Sequence, residues 1–522
     1  MNAAPRTFAA SLSAMIGISL VIMLIAIDST VVGTALPRIV AELKGYDLYP
    51  WAASAYLMTN AVMIPIMGRL GDLYGRKRFV IASIILFTFA SVLCGLAQSM
   101  LQLVLARGLQ GVGGGMLTGV AFASVSDLFP DRLQRVRWQA MLSGAFGIAT
   151  ATGPVLGGWL TEHVGWRSVF FVNVPIAVLA LPVVMKFLPN IVHHEGEKSI
   201  DWLGALLLAV SICGLLLATE RGQSHGFGQP LFFGMLGVAI GAGALFIWHQ
   251  YHSSAPIIPP RLFGNRAVRQ LTLLATFTGL TMFVLVFYSP LMLQGGFDLS
   301  PNSAGVLITP LLLMITIGSL VNGRVLPRLK HPERLIARGQ MLLFIGCLLL
   351  VTLNESSPRA WVMFVFGISG LSFGFQLPNL TLQIQSVVER RDIGIASALI
   401  QTMRMLGSMI GTSVAGVIVN ASFSRHAGEL LDKAHISDER VTALLNTPQV
   451  LVREQDQASL MQLGQSLNFD VVKLIADARD GLVNGIHNAY IGCAVVVAIS
   501  IVIALKLPPF ALSAQDKTHK PD

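Results

Sequence analysis

The sequence has few charged residues and few cysteines. Only 12% of its 522 residues are Asp, Glu, Lys or Arg, whereas soluble domains carry about 25%. This shortage of charge excludes an ordinary soluble domain, and the 54% of hydrophobic residues place the chain in a membrane. The cysteines all lie inside apolar runs, which favours packing roles over disulfides or metal ligands. They are Cys94, Cys213, Cys347 and Cys493.

The sequence also lacks the patterns with which ATP-driven pumps and membrane enzymes bind phosphate or metal. It contains no Walker-type phosphate loop, which disfavours a primary pump. The apolar runs hold no cluster of His, Asp and Glu at ligand spacing: His487 stands alone, and His193-His194 is expected in a solvated connection. We therefore expect no enzymatic activity, no cofactor and no metal site.

Apolar runs are the dominant feature of the chain. A helix needs about 20 predominantly apolar residues to cross a bilayer, and fourteen runs meet this requirement. They predict an all-α integral membrane protein with fourteen transmembrane helices. Their centres lie near Met23, Asn60, Phe87, Gly113, Ile148, Ala177, Ser211, Val238, Thr281, Leu312, Leu343, Gly370, Met405 and Val495.

Basic residues are concentrated in alternate short connections between these runs. Such a bias marks the cytoplasmic side, so both termini are predicted to be cytoplasmic. The net charge of +9 is then largely a topology signal and requires no nucleic-acid partner. The rich connections include Arg76-Lys77-Arg78, Arg132–Arg137, Arg324–Arg338 and Arg390-Arg391. The opposite short connections have only Arg38, Lys44, Arg167, Arg221 and Arg359.

Asp28 lies well inside the first apolar run, between Leu12 and Leu36. A charge near the bilayer centre costs at least about 2.5 kcal/mol, and burial disfavours the ionised form of a carboxyl group. Asp28 is therefore predicted to bind and release a proton during transport. The alternative is a protonated carboxyl group, or one that faces a wet gap, without a function.

Four further motifs lie within or between the apolar runs. The stretch from Gly68 to Arg78 joins the second and third runs and contains Asp72 among cations. Arg107 lies in the fourth run, where a buried guanidinium must find a partner. The candidates are Asp28, Gln110 and backbone carbonyl groups, and a purely structural arginine is the alternative. The other two motifs are Ala149–Gly158 in the fifth run and Trp166–Pro175 in the sixth.

These motifs, with Leu24–Pro37, resemble those of the major facilitator superfamily. More narrowly, they resemble its branch of drug:proton antiporters with fourteen spans, although Gly33 stands where that branch usually has Asn. The resemblance implies alternating access and proton coupling through Asp28 and Arg107. It also implies an antiporter motif that limits leak, formed by Gly153, Pro154, Gly157 and Gly158.

The resemblance further implies a conformational latch made by Gly68, Asp72, Gly75 and Arg76. The latch would hold the two halves together on the cytoplasmic side. Because a helix N-terminus carries about half a positive charge, we expect Asp72 to bind the start of the thirteenth span near Ile393 and Gly394. An Asp that only stabilises the turn is the alternative.

A degenerate internal repeat predicts how the spans are grouped. Gly323–Arg328 follows the tenth run as Gly68–Asp72 follows the second, with Pro327 in the place of Asp72. Two six-span halves with two inserted spans would produce this pattern. We predict an N-terminal six-helix bundle at 1–190, two additional spans at 191–262, and a C-terminal six-helix bundle at 263–522. The last contains an extracytoplasmic loop at about 422–481, either as short amphipathic helices or as a mobile loop.

Polar side chains recur at helical spacing on the twelfth and thirteenth runs. Such stripes should face the bundle interior or a wet cavity, so they are candidates for the substrate cavity. Hydrogen bonding between helices is the alternative. The candidates are Gln376, Asn379, Gln383, Gln401 and Arg404, with the aromatic residues Phe287 and Tyr288. Protonation of Asp28 would leave a net positive cavity, which favours neutral, zwitterionic or anionic amphiphiles, with monovalent cations still possible.

The sequence therefore predicts a proton-coupled secondary exporter of amphiphilic small molecules in the inner, cytoplasmic membrane, for multidrug or toxic-compound efflux. Its expected partners are the substrate, protons and the lipid bilayer, with periplasmic adaptor proteins if the source is Gram-negative. A dedicated exporter of an anionic or zwitterionic metabolite, such as a siderophore, is the first alternative. A passive channel or a sensor is the alternative from another class.

Overall fold

The computed structural model describes residues 8–43, 48, 51–129, 131–191, 199–225, 229–329, 331–436, 438–445, 448–452, 454–467 and 469–509. Within these ranges the chain is helical and has no strand, as predicted. The connection 192–198, which contains His193-His194, and the turn 44–47 lie outside the described residues.

The helices of the N-terminal part and the inserted pair are α1 (Phe8–Leu43), α2 (Trp51–Tyr74), α3 (Arg76–Gly95), α4 (Met100–Leu128), α5 (Arg132–His163), α6 (Ser168–Phe171), α7 (Asn173–Phe187), α8 (Trp202–His225) and α9 (Pro230–His252). They are followed by α10 (Arg266–Leu291), α11 (Pro301–Val325), α12 (Arg334–Leu350), α13 (Arg359–Val387), α14 (Ile393–Lys433), α15 (Glu439–Leu444), α16 (Glu454–Leu467) and α17 (Val471–Leu505).

Eleven helical segments in the described part are long and apolar enough to cross a membrane. Every predicted run has its centre inside a helix, and the sixth run is formed by α6 and α7 together. The helices α2, α4 and α12 are not among the eleven. The all-helical membrane architecture is confirmed, and the number of fourteen spans stays a prediction.

The two halves repeat the same pattern of helix packing. In the first half α1 packs against α5, and α2 and α3 pack against α4. In the second half α10 packs against α14, and α11 and α12 pack against α13. Glycine permits the close approach of α10 and α14, since a Cβ atom on Gly411 would lie 2.6 Å from the Leu280 carbonyl oxygen. The degenerate sequence repeat thus has a counterpart in the packing.

The halves meet at the end of the bundle that carries Arg76–Arg78 and the start of α5, which we call the basic end. Here α2 and α4 pack against α14, and α5 packs against α11. A Cβ atom on Gly323 of α11 would lie 2.7 Å from Ala140 Cβ of α5. The inserted helices α8 and α9 pack against each other, and α8 also contacts α2 and α14.

The predicted loop at 422–481 is shorter in the structure, because both flanking helices extend beyond their apolar parts. Helix α14 continues to Lys433 and α17 begins at Val471. Between them lie the short helices α15 and α16, and Asp438 caps α15 by accepting the Arg440 amide at 2.8 Å. Val441 and Leu460 are fully buried, so the described part of this segment is packed and helical.

Candidate functional site

Asp28 of α1 is completely buried and surrounded by hydrogen-bond donors. Its Oδ2 atom accepts from Arg107 Nη1 of α4 at 2.7 Å. Its Oδ1 atom accepts from Gln110 Nε2 at 2.7 Å and from Asn173 Nδ2 of α7 at 2.9 Å. Hydrogen bonds to charged groups are the strong ones, so this set of partners stabilises a carboxylate in an otherwise apolar bundle.

Arg107 finds all three kinds of partner that the sequence proposed for it. Besides Asp28, it donates to Gln110 Oε1 at 2.7 Å and, through Nε, to the Ala52 carbonyl oxygen at 3.1 Å. The guanidinium also lies 4.3 Å from the centre of the Tyr56 ring, a cation–π distance. The arginine is only 3% exposed, and its position is therefore set by α1, α2 and α4 together.

Asn173 and Ser91 complete the Asp28 site and were not singled out from the sequence. Asn173 begins α7 directly after Val172, the residue that separates it from α6. Its Nδ2 atom also donates to Ser91 Oγ at 2.8 Å, and Ser91 donates to the Phe170 carbonyl oxygen at 3.0 Å. Asn173 could have been identified as the lone amide in the apolar run of Trp166–Pro175.

Asp72 binds the N-terminus of α14, where the helix dipole favours a carboxylate. Its two oxygen atoms accept the Gly394 amide at 2.9 Å and the Ile395 amide at 2.8 Å. Arg76 donates to the same carboxylate at 2.7 Å and to Asp127 of α4. This contact joins the two halves at the basic end, at the place expected from the sequence.

Two glycines of the same motif make this contact sterically possible. A Cβ atom on Gly68 would lie 3.1 Å from the Gly394 carbonyl oxygen and would collide with Ala398 of α14. Gly75 has φ = 89° between α2 and α3, a conformation that only glycine adopts readily. The motif therefore combines close approach, a sharp turn and a carboxylate.

The glycines of α5 contact α1 selectively. A Cβ atom on Gly157 would lie 2.7 Å from the Val31 carbonyl oxygen, and one on Gly153 would collide with Thr30. Gly158 does not share in this contact, since a Cβ atom there meets nothing within 4 Å. The expected close contact thus involves Gly153 and Gly157, and the surroundings of the Pro154 side chain lie outside the described residues.

Two of the candidate cavity residues hydrogen-bond within the second half. Gln376 Oε1 accepts from Thr278 Oγ1 at 2.8 Å and from Gln340 Nε2 at 2.9 Å. Asn379 forms a reciprocal amide pair with Asn322 of α11. These contacts match the alternative of hydrogen bonding between helices, and Thr278, Gln340 and Asn322 were not identified from the sequence.

The remaining candidates differ in their surroundings. Gln383 Nε2 and Gln401 Oε1 are buried without a hydrogen-bond partner among the described residues. Arg404 is half-buried and makes no ion pair with a described acidic residue. Phe287 is 58% exposed, whereas the half-buried Tyr288 donates to the Thr412 carbonyl oxygen at 3.0 Å. The described part of the structure thus leaves polar groups on α13 and α14 without a hydrogen-bond or ion-pair partner.

The sequence profile of the Major Facilitator Superfamily matches residues 18–412. The chain therefore belongs to this superfamily, as its motifs indicated, and it is a transporter rather than an enzyme. The narrower branch of drug:proton antiporters with fourteen spans stays a prediction.

Similar proteins include bacterial transporters. The chain is 29% identical over 518 residues to the Multidrug transporter protein MdtP of Bacillus subtilis (strain 168), covering 97% of this chain and 95% of that relative. It is 33% identical over 411 residues to Multidrug resistance protein 3 of the same organism, covering 78% of this chain and 80% of that relative.

Solved transporter structures share the fold. The human organic anion transporter MFSD10 aligns with a TM-score of 0.60 at 14% identity, covering 93% of this chain and 99% of that one. The proton:xylose symporter XylE aligns with a TM-score of 0.60 at 12% identity, covering 96% of each chain. At such low identity these structures support the fold alone.

Proposed function

We propose that this protein is a secondary exporter that exchanges protons for amphiphilic small molecules, in multidrug or toxic-compound efflux. The observation that carries the proposal is the fully buried Asp28 in contact with Arg107. A membrane protein retains such a group at a high cost, and an intramembrane carboxylate is most simply explained by proton transfer. The relatives named as multidrug transporters support the substrate class.

The coupling ion in this proposal is the proton, without a further cofactor. Protonation of Asp28 removes the charge that pairs with Arg107, and the buried site then carries one uncompensated cation. Binding or release of a substrate near this site shifts the free energy of protonation, and protonation shifts substrate affinity by the same amount. Asp28 is the proton carrier, and Arg107 adjusts the affinity of Asp28 for the proton.

The conformational cycle in this proposal is alternating access by two six-helix bundles, 1–190 and 263–522, with α8 and α9 as the two additional spans. The chain would then have fourteen spans, with the basic end and both termini in the cytoplasm. The contacts between the halves at the basic end, among them that of Asp72 with Gly394, support a state that is closed on the cytoplasmic side. Asp72 is the latch of that state, and the location is the inner membrane.

The cavity candidates favour neutral, zwitterionic or anionic amphiphiles. Arg404 has no acidic partner among the described residues, and an unpaired guanidinium in a low-dielectric setting attracts an anion. Dedicated export of an anionic metabolite is the second candidate function, supported by this same arginine. Periplasmic adaptor proteins would be partners in a Gram-negative source.

Transport by the purified protein in liposomes tests the proposal. Liposomes with an imposed pH gradient are offered fluorescent amphiphiles that are anionic, neutral or monocationic. Proton-driven movement of several compounds against their gradients, with return flow of protons, is expected. Transport at the same rate with and without the pH gradient contradicts proton exchange. Transport of anionic compounds alone, from a single chemical class, supports the dedicated exporter.

A further inference from the structure

The partners of the Asp28 carboxyl group are all donors, and this creates a problem when a proton binds. Arg107 Nη1, Gln110 Nε2 and Asn173 Nδ2 each donate to it. A protonated carboxyl group adds an O–H donor of its own. In the described site this O–H would face donors, so the protonated state needs an acceptor that the ionised state does not use.

Two neighbouring acceptors among the described residues already receive hydrogen bonds, whereas a third does not. Gln110 Oε1 accepts from Arg107, and Ser91 Oγ accepts from both Gln110 and Asn173. Asn173 Oδ1 is buried and has no hydrogen-bond partner among the described residues. A buried acceptor without a partner costs free energy, and such a group in a native site calls for an explanation.

We propose that the Asn173 side chain detects the protonation state of Asp28 by turning its amide. The inference rests on the proposed function, in which Asp28 carries the proton. With Asp28 ionised, Asn173 Nδ2 donates to the carboxylate. When a proton from water binds Asp28 Oδ1, the amide rotates about its Cβ–Cγ bond and Asn173 Oδ1 accepts the new O–H. No bond other than this O–H forms or breaks.

The amide turn transmits proton binding to the junction between α6 and α7 in the sixth span. Rotation places Nδ2 where Oδ1 lay, a position with no described partner, and removes the Asn173 donor from Ser91. Ser91 is bonded to Phe170 of α6, and Asn173 begins α7. A helix shift at Val172, or entry of water, then satisfies the displaced donor. Asn173 is thus a positioning residue that couples α1 to α7.

Three ionisable side chains of the described residues lie near Asp28, and all three belong to helices other than α1. They are Arg107 of α4, Tyr56 of α2, whose ring lies under the guanidinium, and Cys94 of α3, which contacts Gln110. α6 has none. The ionisable residues of α5 lie at its ends, in Arg132–Arg137 and at Glu162 and His163, and α7 has only Lys186 near its far end.

Infrared difference spectra between high and low pH test the amide turn directly. The full-length protein is purified in lipid with asparagine labelled with ¹³C at the side-chain carbonyl. The protonated Asp28 band, identified by its loss in Asp28→Asn, should rise together with a downward shift of a labelled amide band. The shift occurs because the Asn173 carbonyl group then accepts a hydrogen bond. An Asp28 band with no change in any labelled amide band overturns the proposal.

Asn173→Leu removes both the donor and the acceptor, and it distinguishes a turning amide from a fixed donor. The labelled amide shift should vanish, and the Asp28 acid band should move to higher frequency because its O–H has lost its acceptor. The midpoint of the Asp28 titration should move by less than about one pH unit, because both protonation states lose a partner. A fixed donor would instead raise the midpoint by about one unit or more, and that result overturns the proposal.

Asn322→Leu is the matched control, since Asn322 is a fully buried amide paired with Asn379 in the other half. It should leave both bands and the midpoint unchanged; a change equal to that of Asn173→Leu overturns the assignment to Asn173. The absence of any Asp28 acid band overturns the amide turn and the role of Asp28 together. Normal bands without proton-driven transport in liposomes overturn the proposed exchange but leave the amide turn standing.

Discussion

Asp72 of α2 and Gly394 of α14 are in direct contact across the two halves, with the Gly394 amide donating to the carboxylate at 2.9 Å. A Cβ atom on Gly394 would collide with this carboxylate. The contact needs both the negative charge and the missing side chain. Substitutions at this contact are therefore the most direct test of whether it stabilises a state closed at the basic end.

Asp72→Asn and Gly394→Ala should each weaken closure at the basic end. Hydrogen bonds to a charged group are worth about 1.5–3 kcal/mol, so the ratio of closed to open molecules should fall roughly tenfold to a hundredfold. Distances between spin labels on α2 and α14 measure this ratio. Glu389→Gln, which removes an exposed ion pair with Arg391, is the control, and an unchanged ratio in both latch variants contradicts the latch.

The contact of Asp72 with the start of α14 could be predicted from the sequence because the motif around Asp72 resembles a family pattern and a helix N-terminus attracts a carboxylate. The motif places a carboxylate at the end of one helix, and the start of another helix supplies the complementary dipole. Asn173 could not be paired with Asp28 in this way, since a neutral amide carries no charge that selects a carboxylate as its partner. Their contact depends on which faces of α1 and α7 meet. In a membrane bundle, faces toward lipid and toward other helices are both apolar, so the hydrophobic pattern does not specify that choice.

Asp28→Asn should abolish proton-driven export while preserving the fold. The amide has nearly the shape of the carboxyl group but cannot exchange a proton, and it leaves Arg107 without an anionic partner. Transport in liposomes and the thermal unfolding midpoint measure the two effects separately. Asp298→Asn changes an exposed carboxylate that pairs with Arg479 and should transport normally. Full proton-driven export by Asp28→Asn would refute the role assigned to Asp28.

Gly157→Leu and Gly158→Leu form a matched pair of neighbouring substitutions. Gly157 faces the Val31 carbonyl oxygen of α1, whereas Gly158 faces open space. Overpacking costs about 1–3 kcal/mol or more, so Gly157→Leu should lower both the unfolding midpoint and the transport rate. Gly158→Leu should change stability by no more than about 0.5 kcal/mol. Equal effects of the two substitutions would contradict selective packing of α5 on α1. The sequence motif alone did not distinguish these adjacent glycines.

Asp201, which precedes α8, should make stability depend on acid pH. Burial tends to raise the pKa of its carboxyl group, but hydrogen bonds from the Gly204 amide, His249 and Gln250 outweigh burial and lower the pKa. A lowered pKa in the folded state stabilises the protein above the unfolded value of about 3.9, and this contribution is lost as the pH falls through the folded pKa. Below about pH 4, thermal unfolding should therefore be less pH-dependent in Asp201→Asn than in the unsubstituted protein. Identical pH profiles would show that these hydrogen bonds contribute nothing.

Arg404 should select substrates by charge. It is half-buried on α14 without an acidic partner among the described residues, and the nearby Gln401 has an unpaired buried carbonyl oxygen. An anionic substrate would gain a charge-assisted contact that a neutral substrate cannot form. Arg404→Ala should therefore raise the KM for anionic amphiphiles by about tenfold or more, with a smaller change for neutral compounds.

Arg404→Lys should restore part of the difference, because it keeps the charge but not the planar donor geometry. Arg359→Ala, at an exposed position at the start of α13, is the control and should leave selectivity unchanged. Equal losses for compounds of every charge would show that Arg404 supports the fold of α14 and does not recognise the substrate.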